Sequence, residues 1–112
     1  MSVIDYQNIH HLYVINMDDE EFKKYVNLKS LFVENNSITN EGIKSLVNLK
    51  KLKLINCNGI TNEGIKNLTN LKKLKLINCN NIDVNNLRLY YFRNVNNRKE
   101  LKTKYTTQIR NL

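Results

Sequence analysis

The stretch LKKLKLINCN occupies residues 49–58, and the same ten letters return at residues 71–80, 22 positions later. A second stretch, ITNEGIK, also occurs twice, at residues 38–44 and 60–66, with the same offset of 22. A catalytic residue is normally needed once, whereas a structural unit can be reused along a chain. The repetition therefore predicts an architecture of repeated units.

Aligning the chain on this period gives four units, which begin at Ile9, Leu28, Leu49 and Leu71. Each unit has apolar residues at its first, fourth and sixth places: Ile9, Leu12, Val14; Leu28, Leu31, Val33; Leu49, Leu52, Leu54; and Leu71, Leu74, Leu76. Each also has a later apolar pair with a step of three: Phe22 and Tyr25, Ile43 and Leu46, Ile65 and Leu68, and Leu87 and Tyr90. Alternation predicts a short strand and the step of three predicts a helix, so each unit is predicted to be a strand, a turn and a return helix.

The pattern L-x-x-L-x-L-x-x-C/N followed by a helix resembles the leucine-rich repeat. Within that class, LKKLKLINCNGITNEGIKNL is similar to the cysteine-containing kind, in which an inward Cys replaces the usual Asn and an I-T-x-x-G-I segment opens the helix. The resemblance covers residues 9–90; Asn36 takes the Cys position in the second unit, and the first unit has a shortened turn around Met17. It implies an α/β solenoid with a short parallel sheet on its concave face. Such proteins often carry an F-box that recruits a ubiquitin ligase, for which 112 residues leave no room.

The two ends of the chain are expected to close this stack. Val3 and Tyr6 precede Ile9 with the spacing of an apolar helix pair, so residues 1–8 are predicted to be the helix of a truncated repeat that serves as an N-terminal cap. Residues 9–92 are predicted to hold the repeats. Residues 93–112 are predicted to form a basic capping helix, with a flexible basic tail as the alternative. The helical stripe of this segment consists of Leu101, Tyr105, Ile109 and Leu112.

Smaller signals predict local structure within the units. Thr39 and Thr61 stand where a helix N-cap is needed, and Gly42 and Gly64 are interpreted as positions where the helix packs closely on the strand. Asn, Lys and Ile are abundant, which is typical of AT-rich coding, so individual Asn residues carry no weight in this interpretation. The same bias, with truncated repeats, resembles the paralogous repeat families of AT-rich amoebal giant viruses. A degenerate paralogue without a separate role is therefore one hypothesis.

Composition indicates one globular domain, with 41% hydrophobic and 25% charged residues. The first positive residue is Lys23, and no apolar run approaches the roughly 18 residues of a membrane span, so an intracellular, cytoplasmic chain is expected. Cys57 and Cys79 are expected to be buried free thiols in a reducing compartment rather than a disulfide. They take the same place in neighbouring units, so the geometry would also allow a disulfide between them.

Because side chains alternate along a strand, the third, fifth and seventh places of each unit are predicted to line the concave face. This face is predicted to be aromatic at one end and cationic at the other. Its charge follows that of the chain, which sums to −4 over residues 1–43 and +12 over residues 44–112, giving the total of +8. The predicted concave face consists of His11, Tyr13, Ile15, Ser30, Phe32, Glu34, Lys51, Lys53, Ile55, Lys73, Lys75 and Ile77.

The sequence offers little for catalysis. His10 and His11 are adjacent on a strand and would point to opposite sides, so they cannot share a metal ion. There is no C-x-x-C, phosphate-binding glycine loop, nucleophile elbow or H-E-x-x-H. We therefore expect no catalytic residue, cofactor, metal ion or small-molecule substrate. The expected function is a non-enzymatic protein-interaction module that presents its concave face to an acidic protein.

Two alternatives remain open from the sequence. The strand lysines could be ordinary solvated residues that discourage edge-to-edge aggregation. The basic C-terminal half could instead bind nucleic acid or another polyanion, with affinity that falls steeply with salt. The residues expected for that activity are Arg88, Arg93, Arg98, Lys99, Lys102, Lys104 and Arg110. In the protein-binding interpretation, four strands about 4.8 Å apart would expose only about 300 Å², less than the roughly 800 Å² per partner of a standard interface.

Overall fold

The computed structural model describes residues 3–34, 37–83, 86 and 100–104, with the side chains of residues 100–104 left undescribed. The chain has an α/β fold, in which a parallel sheet alternates with short helices. The strands are β1 (His11–Val14), β2 (Ser30–Glu34), β3 (Lys51–Ile55), β4 (Lys73–Ile77) and β5 (Glu100–Lys104). The helices are α1 (Asp19–Phe22), α2 (Asn40–Ile43) and α3 (Asn62–Ile65), and a 3-10 turn (Tyr6–Asn8) precedes β1.

The strands lie side by side in chain order, β1 to β5, and every neighbouring pair is parallel. The register places equivalent positions of successive units opposite one another, so that Leu31 pairs with Leu52 and Leu52 with Leu74. This register confirms the four predicted strands and the alignment on which they rest. Because equivalent side chains are neighbours, the apolar places of the repeat form continuous columns.

The core lies behind the sheet and is built from the predicted apolar places. In the second, third and fourth units, all of the first, fourth and sixth places are buried. The first unit is less buried, since Ile9 and Leu12 have a neighbouring unit on one side only and are partly exposed. The later pairs are buried as predicted in the first three units, whereas Leu87 and Tyr90 lie outside the described residues. Cys57 and Cys79 are buried within the same core, and neither forms a disulfide.

The return helices are single turns of four residues. They are shorter than the helices that apolar pairs with a step of three predict. The predicted N-caps are confirmed, because the hydroxyl oxygens of Thr39 and Thr61 accept the backbone N–H groups of Glu41 and Glu63 at 3.3 Å. A single turn has few internal hydrogen bonds and is unstable by itself. These helices are therefore held by the packing of residues such as Ile43 against the core.

Hydrogen bonds along the side of the fold that carries the helix N-termini link each unit to the next. The first helical residue of each unit, namely Asp19, Asn40 or Asn62, accepts a backbone N–H from the following unit. The donors are Thr39 at 2.8 Å, Thr61 at 2.9 Å and Asp83 at 2.9 Å, respectively. The amide of Asn40 also donates to the hydroxyl of Thr61 at 2.8 Å. We call Asp19, Asn40 and Asn62 with these partners the turn-side ladder.

Other asparagines repeat their roles in the same way, which corrects the interpretation that individual Asn residues carry no weight. The side chains of Asn27, Asn48 and Asn70 each donate to a backbone carbonyl of the preceding unit, at 2.9, 3.2 and 3.0 Å. Asn56 and Asn78, within the two decapeptides, have φ of 56° and 55°. This left-handed conformation favours Asn over most other non-glycine residues. These asparagines therefore hold defined backbone positions.

The glycines of the second and third helices are buried against the ladder. A Cβ added at Gly64 would meet the amide oxygen and amide carbon of Asn40 and, at 3.1 Å, its Cα. A Cβ added at Gly42 would meet the carboxylate of Asp19 and the side chain of Ile38. Both glycines are thus closely packed, but the predicted partner was wrong: they meet the ladder residue of the preceding unit, and at Gly42 also Ile38, rather than a strand. In the first unit the equivalent residue is Glu21, where no described ladder residue precedes it.

Two end predictions require correction. Residues 100–104 form strand β5 rather than part of a capping helix, with Leu101 opposite Leu74. The free edge of β4 offers backbone donors and acceptors that a strand can pair with, and this outweighs the helical spacing of Leu101. Residues 93–99 and 105–112 of the predicted helix lie outside the described part of the chain. At the other end, Val3 is 90% exposed, so the predicted N-terminal helix is reduced to the turn at Tyr6–Asn8.

The N-terminal turn still covers the first unit through one side chain. The ring of Tyr6 packs edge-on against that of Tyr25, with 4.9 Å between centroids. Its hydroxyl donates to the Glu21 carboxylate at 2.9 Å. Nucleating a helix is unfavourable for so few residues, so the turn does not extend back to Val3. Across the described residues, no helix has both the length and the apolar character needed to span a membrane.

Candidate functional site

The residues of the predicted concave face lie on the side of the sheet opposite the core. On β2, β3 and β4 the strand residues alternate between buried positions and positions that are exposed or half-buried, and the latter are the predicted ones. On β1, His11 is exposed and Tyr13 is 56% exposed, while Ile15 follows the end of the strand and is 54% exposed. The sheet therefore brings the twelve predicted residues to one face, with the aromatic residues on β1 and β2 and the lysines on β3 and β4.

The four lysines of this face form two in-register pairs. Lys51 lies opposite Lys73, and Lys53 lies opposite Lys75. Neighbouring strands are about 4.8 Å apart, and like charges directly opposite each other on a sheet are destabilising. None of these four lysines forms a salt bridge with a side chain that the structure describes. The face therefore keeps a concentrated positive charge that the described part of the fold does not neutralise.

The salt bridges that are described lie elsewhere, on the short helices. They join Lys23 to Glu20, Lys24 to Glu21, Lys44 to Glu41 and Lys66 to Glu63, at 3.0, 3.0, 2.7 and 2.6 Å. Each pair is three residues apart on one helical turn, where an acid and a lysine are neighbours. The glutamates of these helices are thus paired locally and remain separate from the strand lysines.

At the other end of the face, aromatic and charged side chains form one connected cluster. The rings of Tyr13 and Phe32 are stacked, with 4.4 Å between centroids and 14° between planes. The ammonium group of Lys53 lies 4.3 Å from the centroid of the Phe32 ring, a favourable cation–π distance. Because β2 lies between β1 and β3, Tyr13 and Lys53 approach Phe32 from opposite sides. Both faces of the Phe32 ring are therefore covered.

The one carboxylate of the predicted face is engaged by this cluster. The hydroxyl of Tyr13 donates to the carboxylate of Glu34 at 2.7 Å. This hydrogen bond, with lesser contributions from burial and from the Glu34 charge, raises the pKa of Tyr13 above that of a free tyrosine. Glu34 is thus held toward β1 and away from the lysines of β4.

A groove crosses the strands between the third and fifth places of the units. It has a volume of about 240 Å³. Its walls are mostly carbon, and the backbone of Leu31 and Leu52 contributes to its floor, since their side chains are buried on the core side. The volume is below the roughly 300–1,000 Å³ of typical small-molecule pockets. The side chains that flank the groove are Ser30 and Phe32 on β2, Lys51 and Lys53 on β3, and Lys73 and Lys75 on β4.

The remaining candidates for chemistry are scattered or buried. His10 and His11 are both exposed, and among the described residues no three His, Cys, Asp or Glu side chains are grouped as metal ligands. The thiols of Cys57 and Cys79 hydrogen-bond to backbone carbonyls, Cys79 to that of Leu54 at 3.4 Å. A hydrogen bond with Cys57 holds the pKa of Cys79 below the ordinary thiol value, against the opposite effect of burial. These contacts explain the two cysteines as part of the unit-to-unit packing.

Sequence reasoning identified the residues of the face but missed the groove, because its shape depends on the small side chain of Ser30 beside Phe32. It also missed β5, whose Glu100 and Lys102 have the register positions opposite Lys73 and Lys75. Arg88, Arg93, Arg98, Lys99 and Arg110 of the alternative polyanion site lie outside the described residues. Compared with protein-family models, with curated proteins and with solved structures, the chain matches none.

Proposed function

We propose that the chain is a leucine-rich-repeat solenoid that binds an acidic protein partner on its concave face and performs no catalysis itself. The observation that carries this proposal is the strand register, which places Lys51 opposite Lys73 and Lys53 opposite Lys75. Four like charges on neighbouring strands repel one another, whereas a negatively charged partner would relieve that repulsion. The local pairing of the helix acids supports the same proposal, since they do not compete for this face.

The size of the face indicates the kind of complex. A sheet surface of some 300 Å² is well below the roughly 800 Å² that each partner buries in a standard stable interface. Contacts with this face alone would therefore give a weak, transient complex whose rate of association depends on charge. Additional area from neighbouring loops would tighten it.

The proposal is tested by comparing two double variants of equal charge in a pull-down from the native cell. Lys53→Glu with Lys75→Glu reverses charge on the groove, whereas Lys50→Glu with Lys72→Glu reverses it at the exposed residues that precede the same strands. We expect the first variant to lose a partner that the second retains, with circular dichroism unchanged in both. Equal recovery of every partner by the two variants would refute binding at this face.

A further inference from the structure

We infer that the groove selects an acidic segment that also carries one bulky apolar side chain, placed two residues before a carboxylate. This inference rests on the proposed function and specifies the chemistry of the partner. It begins from the composition of the groove, which changes along its length. At β2 the flanking residues are Ser30 and Phe32, and at β3 and β4 they are lysines on both sides.

The β2 end of the groove suits an apolar side chain. Ser30 is the smallest residue in its column, where the next two units have Lys51 and Lys73, so the space beside Phe32 is open. The mostly carbon wall, with the stems of neighbouring lysines, offers an apolar side chain contacts that water would otherwise occupy. The faces of the Phe32 ring are not available for stacking, because Tyr13 and Lys53 cover both of them.

The β3 and β4 end suits carboxylates. The groove at β3 is flanked by Lys51 and by Lys53, whose ammonium group lies over the Phe32 ring, and at β4 it is flanked by Lys73 and Lys75. These positions are one and two strand spacings from β2, or about 5 and 10 Å. An extended peptide advances about 3.3 Å per residue and its side chains alternate, so the second residue beyond the apolar side chain points into the groove about 6.6 Å away, between β3 and β4, and supplies the carboxylate.

These features favour a protein segment over nucleic acid as the occupant. A nucleic acid binder normally combines a basic track with exposed aromatic faces on which bases stack. Here Tyr13 and Lys53 cover both faces of the Phe32 ring, the exposed Tyr13 does not line the groove, and the groove walls are mostly carbon. The occupant that matches both ends of the groove is an acidic peptide with an aliphatic residue.

The test uses three fluorescein-labelled peptides of equal charge, with binding measured by fluorescence anisotropy to the full chain. The first has a leucine two residues before three consecutive acidic residues. The second has the same composition with the leucine moved to the far end of a glycine-serine spacer, and the third has glycine in place of leucine. We expect the first to bind about ten-fold more tightly than the others, a factor of the order that burial of one aliphatic side chain supplies.

Two variants locate this preference. Phe32→Ala should remove the advantage of the first peptide while leaving the weaker, charge-dependent binding of all three. Lys53→Glu with Lys75→Glu should abolish binding of all three, whereas Lys50→Glu with Lys72→Glu should not. If Phe32→Ala does not fold, the comparison of the three peptides on the natural chain still decides the matter.

The outcomes separate this inference from the proposed function. Equal binding of the three peptides, lost in Lys53→Glu with Lys75→Glu, would overturn the apolar requirement and leave acidic recognition at this face intact. Equal binding to both lysine variants would overturn the proposed function as well. A single-stranded oligonucleotide of matched charge that binds more tightly than the first peptide would overturn both in favour of a polyanion site.

Discussion

On the turn side, the amide of Asn40 accepts a backbone N–H of the next unit and donates to that unit's threonine, Thr61. On the predicted concave face, Lys53 and Lys75 lie opposite each other, with no acidic partner among the described side chains. Both regions repeat with the period of the units, and both are polar. In the first, each polar group is satisfied by a neighbouring unit, whereas in the second the positive charges remain available. Repetition alone therefore does not distinguish structural positions from candidate binding positions. What distinguishes them is whether the polar group has a partner within the fold.

The largest expected effect tests the ladder. Asn40→Ala removes two hydrogen bonds between units and leaves the N–H of Thr61 without its acceptor, so we expect the free energy of unfolding to fall by about 1–3 kcal/mol. The measurement is urea denaturation monitored by circular dichroism. Asn67→Ala, at an exposed asparagine outside the ladder, is the matched control and should change stability by less than about 0.5 kcal/mol. Similar losses in the two variants would contradict the structural role of the ladder.

A second prediction concerns the glycine packed against that ladder. Gly64→Ala should destabilise the chain by about 1 kcal/mol or more, because overpacking against Asn40 outweighs the roughly 0.5–1 kcal/mol that alanine contributes to a helix. Urea denaturation of Gly64→Ala in the natural background and in Asn40→Ala measures the coupling. The loss should be smaller in the second background, since the crowding amide is gone. Stabilisation by Gly64→Ala alone would show that Asn40 moves aside without cost.

On the opposite face the sign of the effect should reverse. Lys75→Glu converts a like-charge pair with Lys53 into an opposite-charge pair, and we expect it to stabilise the chain by about 0.2–1 kcal/mol. The gain should shrink as salt is added, because exposed charges are screened. The double variant Lys53→Glu with Lys75→Glu restores a like-charge pair and should lose the gain. Stability that is unchanged at low salt in the single variant would mean that the lysines do not repel one another.

The smallest effect is a titration. The Glu34 carboxylate accepts a hydrogen bond from the phenol and so raises the pKa of Tyr13, and the phenol should titrate above the ordinary value of about 10. The stabilising contribution of this contact should be present below that ordinary pKa and lost as the pH rises through the raised one. Glu34→Gln should lower the pKa of Tyr13, as followed by nuclear magnetic resonance of its ring. Tyr25, whose pKa is raised chiefly by burial, is the internal control and should not respond.

Much of the fold follows from the spacing of apolar residues. The first, fourth and sixth places gave β1 to β4 and their register, because three apolar positions in each unit can be buried in one frame only. β5 was missed because it lacks this spacing of apolar residues. In its frame only Leu101 remains apolar, while Arg98 and Thr103 take the first and sixth places, and the step from Lys73 to its register partner Glu100 is 27 residues (100 − 73) rather than the preceding 22 (73 − 51).

The sequence predicted which residues line the candidate site but not the shape of the site. Alternation along each strand placed Lys51, Lys53, Lys73 and Lys75 on one face, and the structure brings them together there. Nothing in the spacing indicated that Tyr13 would reach Glu34, or that Lys53 would lie over Phe32. Those contacts depend on side-chain conformations across three strands, which a single-sequence pattern does not encode.

The sequence by itself determined the repeated unit, the inward and outward sides of each strand, and the separation of aromatic from cationic residues, because a period of apolar residues fixes which side chains can leave water. Only the tertiary structure decided which polar residues are structural. In the sequence, Asn40 and Asn62 look like ordinary exposed asparagines. They become ladder residues because the next unit presents its N–H groups to them. Hydrogen bonds act over short distances and require defined directions, so their partners exist only once the units are stacked.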